Sequence, residues 1–471
     1  MTRRRWIPLN PCDYLIYSLT ARMRREGQGD CLAMMFVEVE GEVPPDRIRR
    51  AFAGALAAHP VTLADLRVSR VDGRPYWRLP DCSSAAARHA SAASAAASAY
   101  SFHDLRGRDD WAARLEALVC DRMTPWRDPH RGPQVYLDHY ALPAGRTRFC
   151  LRWQHYFMDA EGAQLLLAEI ERHDGCEAGE EPSGPPGWPV LPEGEGPDPL
   201  AGAGFSRRLW MAARATRRAI REGSRSGQLI AAWPAAAITG HGLLYRAWPG
   251  EVWERVRAAA QRHTPPGPGR YARYFVACTT LALHRLHRES GRETAGYLIT
   301  LPLRVTLPDG RGGNRVDRPI CGNYLTAVTL RACREDLADL PTLAASFQGQ
   351  LQSYLDGGGD RVMWSLMWLL SRMRTWMQRA VLRGRSARTP LSSGFSYYGE
   401  AAAPVRRFGG REVANIWGAG LVATPPGWNP VFCRYRERLS FSMAFNLPSV
   451  SAAVARRYQE LIESEVFARC E

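Results

Sequence analysis

The sequence predicts an α/β (α+β) protein of two lobes, each a mixed sheet flanked by helices, and three observations carry that reading. The chain has 471 residues, more than one ordinary core organises. Strand-like and helix-like patterns alternate in both halves, and no internal repeat is visible. Residues 174–204 are crowded with Gly, Pro and Glu and carry almost no periodic apolar signal, as a linker does. The expected division is residues 1–173, a linker over 174–204, and residues 205–471.

Taken in order, residues 12–25 predict a helix and 31–39 (CLAMMFVEV) a buried strand. Pro44 and Pro45 open a helix whose Ile48, Phe52 and Leu56 fall near the 3.6 period. It ends at His59-Pro60, and two short strands follow around Leu66 and Tyr76. Residues 83–99 are low-complexity Ala and Ser and predict an exposed, mobile insert. A helix over 109–122 and strands over 134–141 and 148–154 complete the first lobe. The second lobe opens with an Arg-studded helix over 205–227. Strands are expected over 242–248, 297–306, 324–330, 394–398, 430–435 and 439–446, and helices over 250–262, 270–288, 335–355, 361–382 and 449–468.

Composition excludes several classes. Hydrophobic residues make up 45% and charged residues 23%, a globular balance rather than a disordered one. The net charge is +15 and all 62 basic residues are Arg, which favours acidic partners such as a phosphate-bearing thioester carrier. No nucleic-acid reading module is present, so no nucleic-acid partner is expected. The 11 Cys form no CxxC pair and no cluster at zinc-ligand spacing, so no metal and no disulfide framework are expected. The N-terminal residues lack a secretory apolar stretch, and no run is long enough to cross a bilayer. A cytoplasmic monomer without membrane insertion is the expectation.

The chemistry concentrates in RFCLRWQHYFMDAEGAQLLLAEIER, residues 148–172. Phe149, Leu151, Trp153 and His155 alternate with Cys150, Arg152 and Gln154, placing His155 on the apolar face of a strand. Ala163, Leu166, Leu167 and Ile170 then follow helical spacing. His155 therefore sits where a buried strand gives way to a helix, with Asp159 four residues on. On spacing alone two readings stand: an imidazole facing a cleft, or a satisfied core histidine followed by an Asp159 helix cap.

This segment resembles the HHxxxDG signature of the thioester-dependent acyltransferases, which include chloramphenicol acetyltransferase, peptide-synthetase condensation domains, plant BAHD enzymes and bacterial wax-ester synthases. PLNPCDYLIY (8–17), AGALAAHP (53–60), TLPLRVTLPDG with CGNYLTAVTL (300–330) and NPVFCRYRERLSFSMAFN (429–446) resemble further segments of that family, so the likeness covers nearly the whole chain. Gln154 stands where the family has its first His, and Ala160 replaces the Gly after the Asp, with a glycine only at Gly162.

The resemblance implies two chloramphenicol-acetyltransferase-like lobes with the active-site channel between them. It implies His155 as general base and Asp159 as the residue that orients the His loop, paired with Arg304. Ser396 is the implied oxyanion donor, and Gly162, Arg304, Asn323 and Tyr398 are expected to border the substrate. For Arg304 a solvated surface Arg, and for Ser396 and Asn323 ordinary strand-end polar residues, remain the alternatives. No permanently bound cofactor is implied; a coenzyme A or phosphopantetheine thioester is the co-substrate, and a small alcohol or amine the acceptor. Imidazoles with a pKa near 6.5 are mostly neutral at cytoplasmic pH, as a base must be. The Trp/Met-rich helix 361–382 is read either as a buried helix or as a lid, acyl-channel wall or membrane-surface element. The Arg-rich helix 205–227 is either a solvated face or a dock for an acidic carrier or coenzyme A phosphates. A catalytically degenerate condensation-like domain that recruits other proteins is the alternative function.

Overall fold

The computed structural model describes residues 6–27, 30–81, 84–123, 128, 130–176, 182, 196, 198–223, 237–292, 296–306, 318–378, 391–400, 405–420, 424 and 426–470. In the first half the order is β1 Trp6–Pro8, α1 Pro11–Arg25, β2 Leu32–Glu40, α2 Pro45–Ala58, β3 Asp65–Val68, β4 Pro75–Arg78, α3 Ala85–Ala99, β5 Tyr100–Asp104, α4 Trp111–Met123, β6 Val135–Leu142, β7 Arg146–Gln154 and α5 Ala160–Arg172. The second half runs α6 Phe205–Gly223, β8 Gly240–Trp248, α7 Gly250–His263, α8 Arg270–Glu289, β9 Gly296–Arg304, β10 Leu325–Cys333, α9 Leu340–Asp356, α10 Gly359–Ser371, β11 Ser393–Gly394, β12 Ser396–Glu400, β13 Arg407–Phe408, β14 Arg411–Gly420, β15 Trp428–Tyr435, β16 Arg438–Leu447 and α11 Ala452–Phe467.

The largest sheet runs β13-β14-β2-β7-β6-β5, and a four-stranded sheet runs β12-β15-β16-β8. Three-stranded sheets β1-β4-β3 and β10-β9-β11 complete the set among the described residues. Mixed sheets with helices on them form two main cores, as the patterning predicts. The halves are not separate in space. Strand β14, far along the second half, pairs antiparallel with β2 of the first, with Trp417 opposite Phe36. Their rings stack at 3.8 Å. Most of the expected linker lies outside the described residues.

Because β7 lies inside the large sheet, it is buried along nearly its whole length rather than on one face. Arg148 and Arg152 of its second face are each paired with a carboxylate. Arg152 forms a buried, two-pronged pair with Asp138 of neighbouring β6, as an interior guanidinium must.

The Ala/Ser-rich stretch is a helix, not a mobile insert. Ser84 caps it by accepting from Ala87 N at 3.1 Å, and Ala, the best helix former, fills its interior. Ala92, Ala96 and Ala99 make a buried stripe of small side chains at helical spacing, and the helix packs against α2. Low complexity here serves close helix packing. No helix among the described residues is long and apolar enough to cross a membrane.

Candidate active site

Strand β7 pairs with β2 as far as Gln154 opposite Leu32, and one more bond, His155 N to Cys31 O at 2.8 Å, extends the ladder. The chain then turns. Phe157 N donates to Gln154 O at 2.8 Å, and Trp153 Nε1 holds Met158 O at 2.7 Å. Tyr156, Phe157 and Met158 are fully buried, with Tyr156 edge-on to Tyr17 and Phe157 edge-on to Trp77. The bulky side chains beside the motif are thereby committed to the core. His155 alone between Gln154 and Asp159 stays half-buried. Its Nδ1 is buried without a hydrogen-bond partner.

Asp159 begins α5 as its N-cap, accepting from Glu161 N at 3.1 Å and Gly162 N at 3.0 Å. The same carboxylate accepts from Tyr324 N at 3.1 Å and twice from Arg318 Nη1 at 2.8 Å. Cap and ion pair are both made. Burial alone would push this carboxyl up, but the Arg318 guanidinium and these amides hold it below the ordinary carboxylate range. Arg318, 3% exposed, also donates to Gly322 O at 2.5 Å and lies over the Tyr324 ring.

Arg304, expected as the partner of Asp159, is not. Its side chain is 49% exposed and pairs with Glu161 at 2.8 Å. The reason is its place: Arg304 ends strand β9 at the surface, whereas Arg318 enters from the segment that crosses the motif. In that segment Met158 and Gly322 form a parallel bridge, and Gly322 N donates to Phe157 O at 2.8 Å. Gly322 has φ +112, a backbone a side chain disfavours. Gly162 lies against the Ile320 carbonyl, where an added Cβ would collide. The glycine displaced by two positions therefore lets two backbones approach, rather than bordering substrate.

Asn323 is buried and ties the motif to α1. Its backbone N and Nδ2 donate to Asp13 Oδ1 at 2.7 and 2.8 Å, and Nδ2 also donates to His155 O at 2.7 Å. Its Oδ1 is left buried without a partner. Burial pushes the Asp13 carboxyl well above its usual range, with the Asn323 bonds opposing and the Asp159 charge adding. Neither Asp13 nor Arg318 stood out in the sequence; an acid in a helix's first turn is commonplace, and so is one Arg among 62.

His155 and Asn323 share a cavity of about 950 Å³. Both halves of the chain build it. Leu15, Ile16 and Leu19 come from α1, Leu325 and Val328 from β10, and Met363, Leu366 and Met367 from α10. Helix α10 is thus buried and walls this cavity, but it ends at Ser371 rather than at 382, and Trp376 and Met377 beyond it are exposed. Residues 379–382 of its expected span lie outside the described residues. Ser396 and Tyr398 do not line this cavity. Ser396 is buried on β12 opposite Val431, and the half-buried Tyr398 packs its ring against Gly418. No group of His, Cys, Asp and Glu among the described residues could hold a metal ion.

The mixed sheets and helices build a chloramphenicol-acetyltransferase-like fold, the fold also found in an acetyltransferase and in condensation domains of known structure. The structure of the trichothecene 15-O-acetyltransferase TRI3 from Fusarium sporotrichioides has a TM-score of 0.70 to this chain at 12% identity, covering 99% of this chain and 95% of that one. The first condensation domain of the CDA synthetase has a TM-score of 0.61 at 14% identity, covering 99% and 96%. A starter condensation domain of rhizomide synthetase in complex with C8-CoA has a TM-score of 0.61 at 13% identity, covering 98% and 94%. No family model matches the chain, and no curated protein matches it in sequence.

Proposed function

We propose that this protein is a stand-alone acyltransferase that moves an acyl group from a coenzyme A or carrier-protein thioester to a hydroxyl or amine. The observation that carries the reading is His155. It is the half-buried residue of an otherwise buried turn, and it faces a large, mostly apolar cavity with no hydrogen bond on its Nδ1. In the proposed reaction the imidazole takes the proton of the acceptor as that atom attacks the thioester carbonyl, and the thiolate leaves. A thiol's ordinary pKa of about 8.5 makes it a far better leaving group than an alkoxide.

Asp159 and Arg318 act behind His155 as positioning residues, fixing the turn and the start of α5. Asn323 holds the His155 carbonyl and keeps Oδ1 for a substrate N–H. Thioester is co-substrate only, with no resident cofactor, and the setting is natural-product or lipid biosynthesis by a monomer in the cytoplasm. The ten described cysteines are all free, which suits a reducing compartment.

The test is His155→Ala, assayed by free-thiol release from acyl thioesters. Turnover should fall by roughly a hundredfold or more, because general-base catalysis typically contributes that much. Unchanged turnover in a folded variant would falsify His155 as base. No turnover by the wild type with any thioester would leave a degenerate recruitment module as the better reading.

A further inference from the structure

A second cavity, of about 530 Å³, lies beside the first, walled by Arg214, Arg217 and Arg218 of α6, by Gly357 and Gly359, and by Val362 and Trp210. Arg218 lines both cavities. The two cavities are therefore neighbours that share Arg218, whose guanidinium packs on the Tyr354 ring at 4.6 Å, and Tyr354 itself walls the first cavity. Three guanidinium-bearing side chains face the second cavity, and no carboxylate stands in its wall among the described residues. The nearby acid, Asp360, accepts from Thr306 N at 2.7 Å. Concentrated positive charge beside an apolar cavity suits an amphiphile whose anionic head stays at the arginines while its neutral arm enters the apolar space.

We propose that the Arg214/Arg217/Arg218 cavity is a phosphate subsite for the donor, holding the phosphate of a phosphopantetheine arm whose thioester end reaches His155. Guanidinium pairs phosphate oxygens through two parallel N–H donors, which gives orientation as well as attraction. This deepens the acyltransferase reading and rests on it. The phosphate has two sources, free coenzyme A or a carrier-borne arm, and the shared chemistry is the phosphate ester next to the pantetheine.

The experiment is calorimetric titration of the full chain at low ionic strength with pantetheine, 4′-phosphopantetheine and coenzyme A. The wild type should bind the two phosphorylated ligands at least tenfold more tightly than pantetheine. In Arg214→Ala/Arg217→Ala that preference should shrink below threefold, and Arg214→Lys/Arg217→Lys should restore part of it. Both residues are exposed on α6, so the fold should survive, which circular dichroism checks. Displacement of coenzyme A by 3′,5′-ADP in the wild type, lost in the Ala variant, supports the subsite with the free nucleotide thioester as donor. A preference for phosphopantetheine with no displacement by 3′,5′-ADP supports it with a carrier-borne arm. No phosphate preference in the wild type, or a preference that survives in the Ala variant, overturns the subsite. His155-dependent turnover of acyl-pantetheine, which has no phosphate, is scored separately. Its failure together with that of acyl-phosphopantetheine and acyl-coenzyme A would sink the acyltransferase reading, whereas the binding ratio reports on the subsite alone.

Discussion

Removing the Asp159 carboxylate is the sharpest perturbation of the frame behind His155. The carboxylate accepts from three backbone amides and twice from Arg318, whose side chain is 4% exposed. Asp159→Ala leaves that guanidinium buried with only the longer 3.4 Å carboxylate contact, to Glu161, and breaking a buried pair costs about 3–5 kcal/mol. Loss of the α5 cap accounts for about 1 kcal/mol within that figure. Arg318→Ala should cost a similar amount, because it strands the carboxylate. The double variant strands no charge, so it should be cheaper than the sum of the singles by about 1–3 kcal/mol. Arg304→Ala is the internal control: its pair with Glu161 is exposed, and such pairs are worth about 0–1 kcal/mol. Urea unfolding with a common m-value gives the energies, and thioester turnover is read alongside. The stabilisation also has a direction in pH. It is present above the ordinary carboxylate pKa and lost as pH falls through the lowered native value. Additivity of Asp159→Ala and Arg318→Ala to within about 0.5 kcal/mol would refute the pairing, as would an Arg304→Ala cost equal to that of Arg318→Ala.

Three further outcomes follow from neighbouring groups. Gly162→Ala forces a Cβ into the Ile320 carbonyl and should destabilise by about 1–3 kcal/mol, measured by the same unfolding assay; a neutral result would mean the two backbones part freely. Asp13→Asn keeps the oxygen that accepts from Asn323 while removing a carboxyl that burial pushes up. The unfolded wild type ionises first, so its stability falls as pH rises above the ordinary carboxylate value. The variant's stability relative to wild type should therefore grow with pH over that window, and a pH-independent difference would contradict it. His173 is 4% exposed, and burial, with Arg172 adding, lowers its pKa to about 4. Its contribution is complete above about 6.5 and lost as pH falls toward 4, so His173→Gln should flatten the acid limb of the stability curve. An unchanged limb would show that His173 does not titrate alone.

How far the fold was legible depended on whether burial was one-sided. Helices with a single apolar stripe, such as α2 with Ile48, Phe52 and Leu56, announce themselves by period, and the structure has them where periodicity puts them. Strand β14, REVANIWGAG, escaped sequence reading because it lies between β2 and β13 and against the four-stranded sheet. Its inward polar residue, Asn415, donates Nδ2 there to Tyr245 and Ser440, partners that no local pattern reveals. The Ala/Ser helix α3 hides its fold from the sequence for a related reason. Its surface needs only methyl groups to pack on α2, so the composition that suggests disorder in isolation is the one that permits close approach.

The site was legible in its local part and hidden in its long-range part. His155 and Asp159 lie within five residues, where strand and helix periods fix which way a side chain can go. Arg318 reaches Asp159 across 159 residues, and from sequence alone it competes with every other Arg in the chain. What distinguishes it is context: it stands four residues ahead of Gly322, whose positive φ lets the chain double back against Met158. A guanidinium carried on a backbone already hydrogen-bonded to the motif's own turn arrives buried and pointing inward. One at the end of a surface strand, as Arg304 is, keeps its water. The choice between the two arginines is thus set by which backbone the glycine allows to touch residues 157–158, and only then by charge.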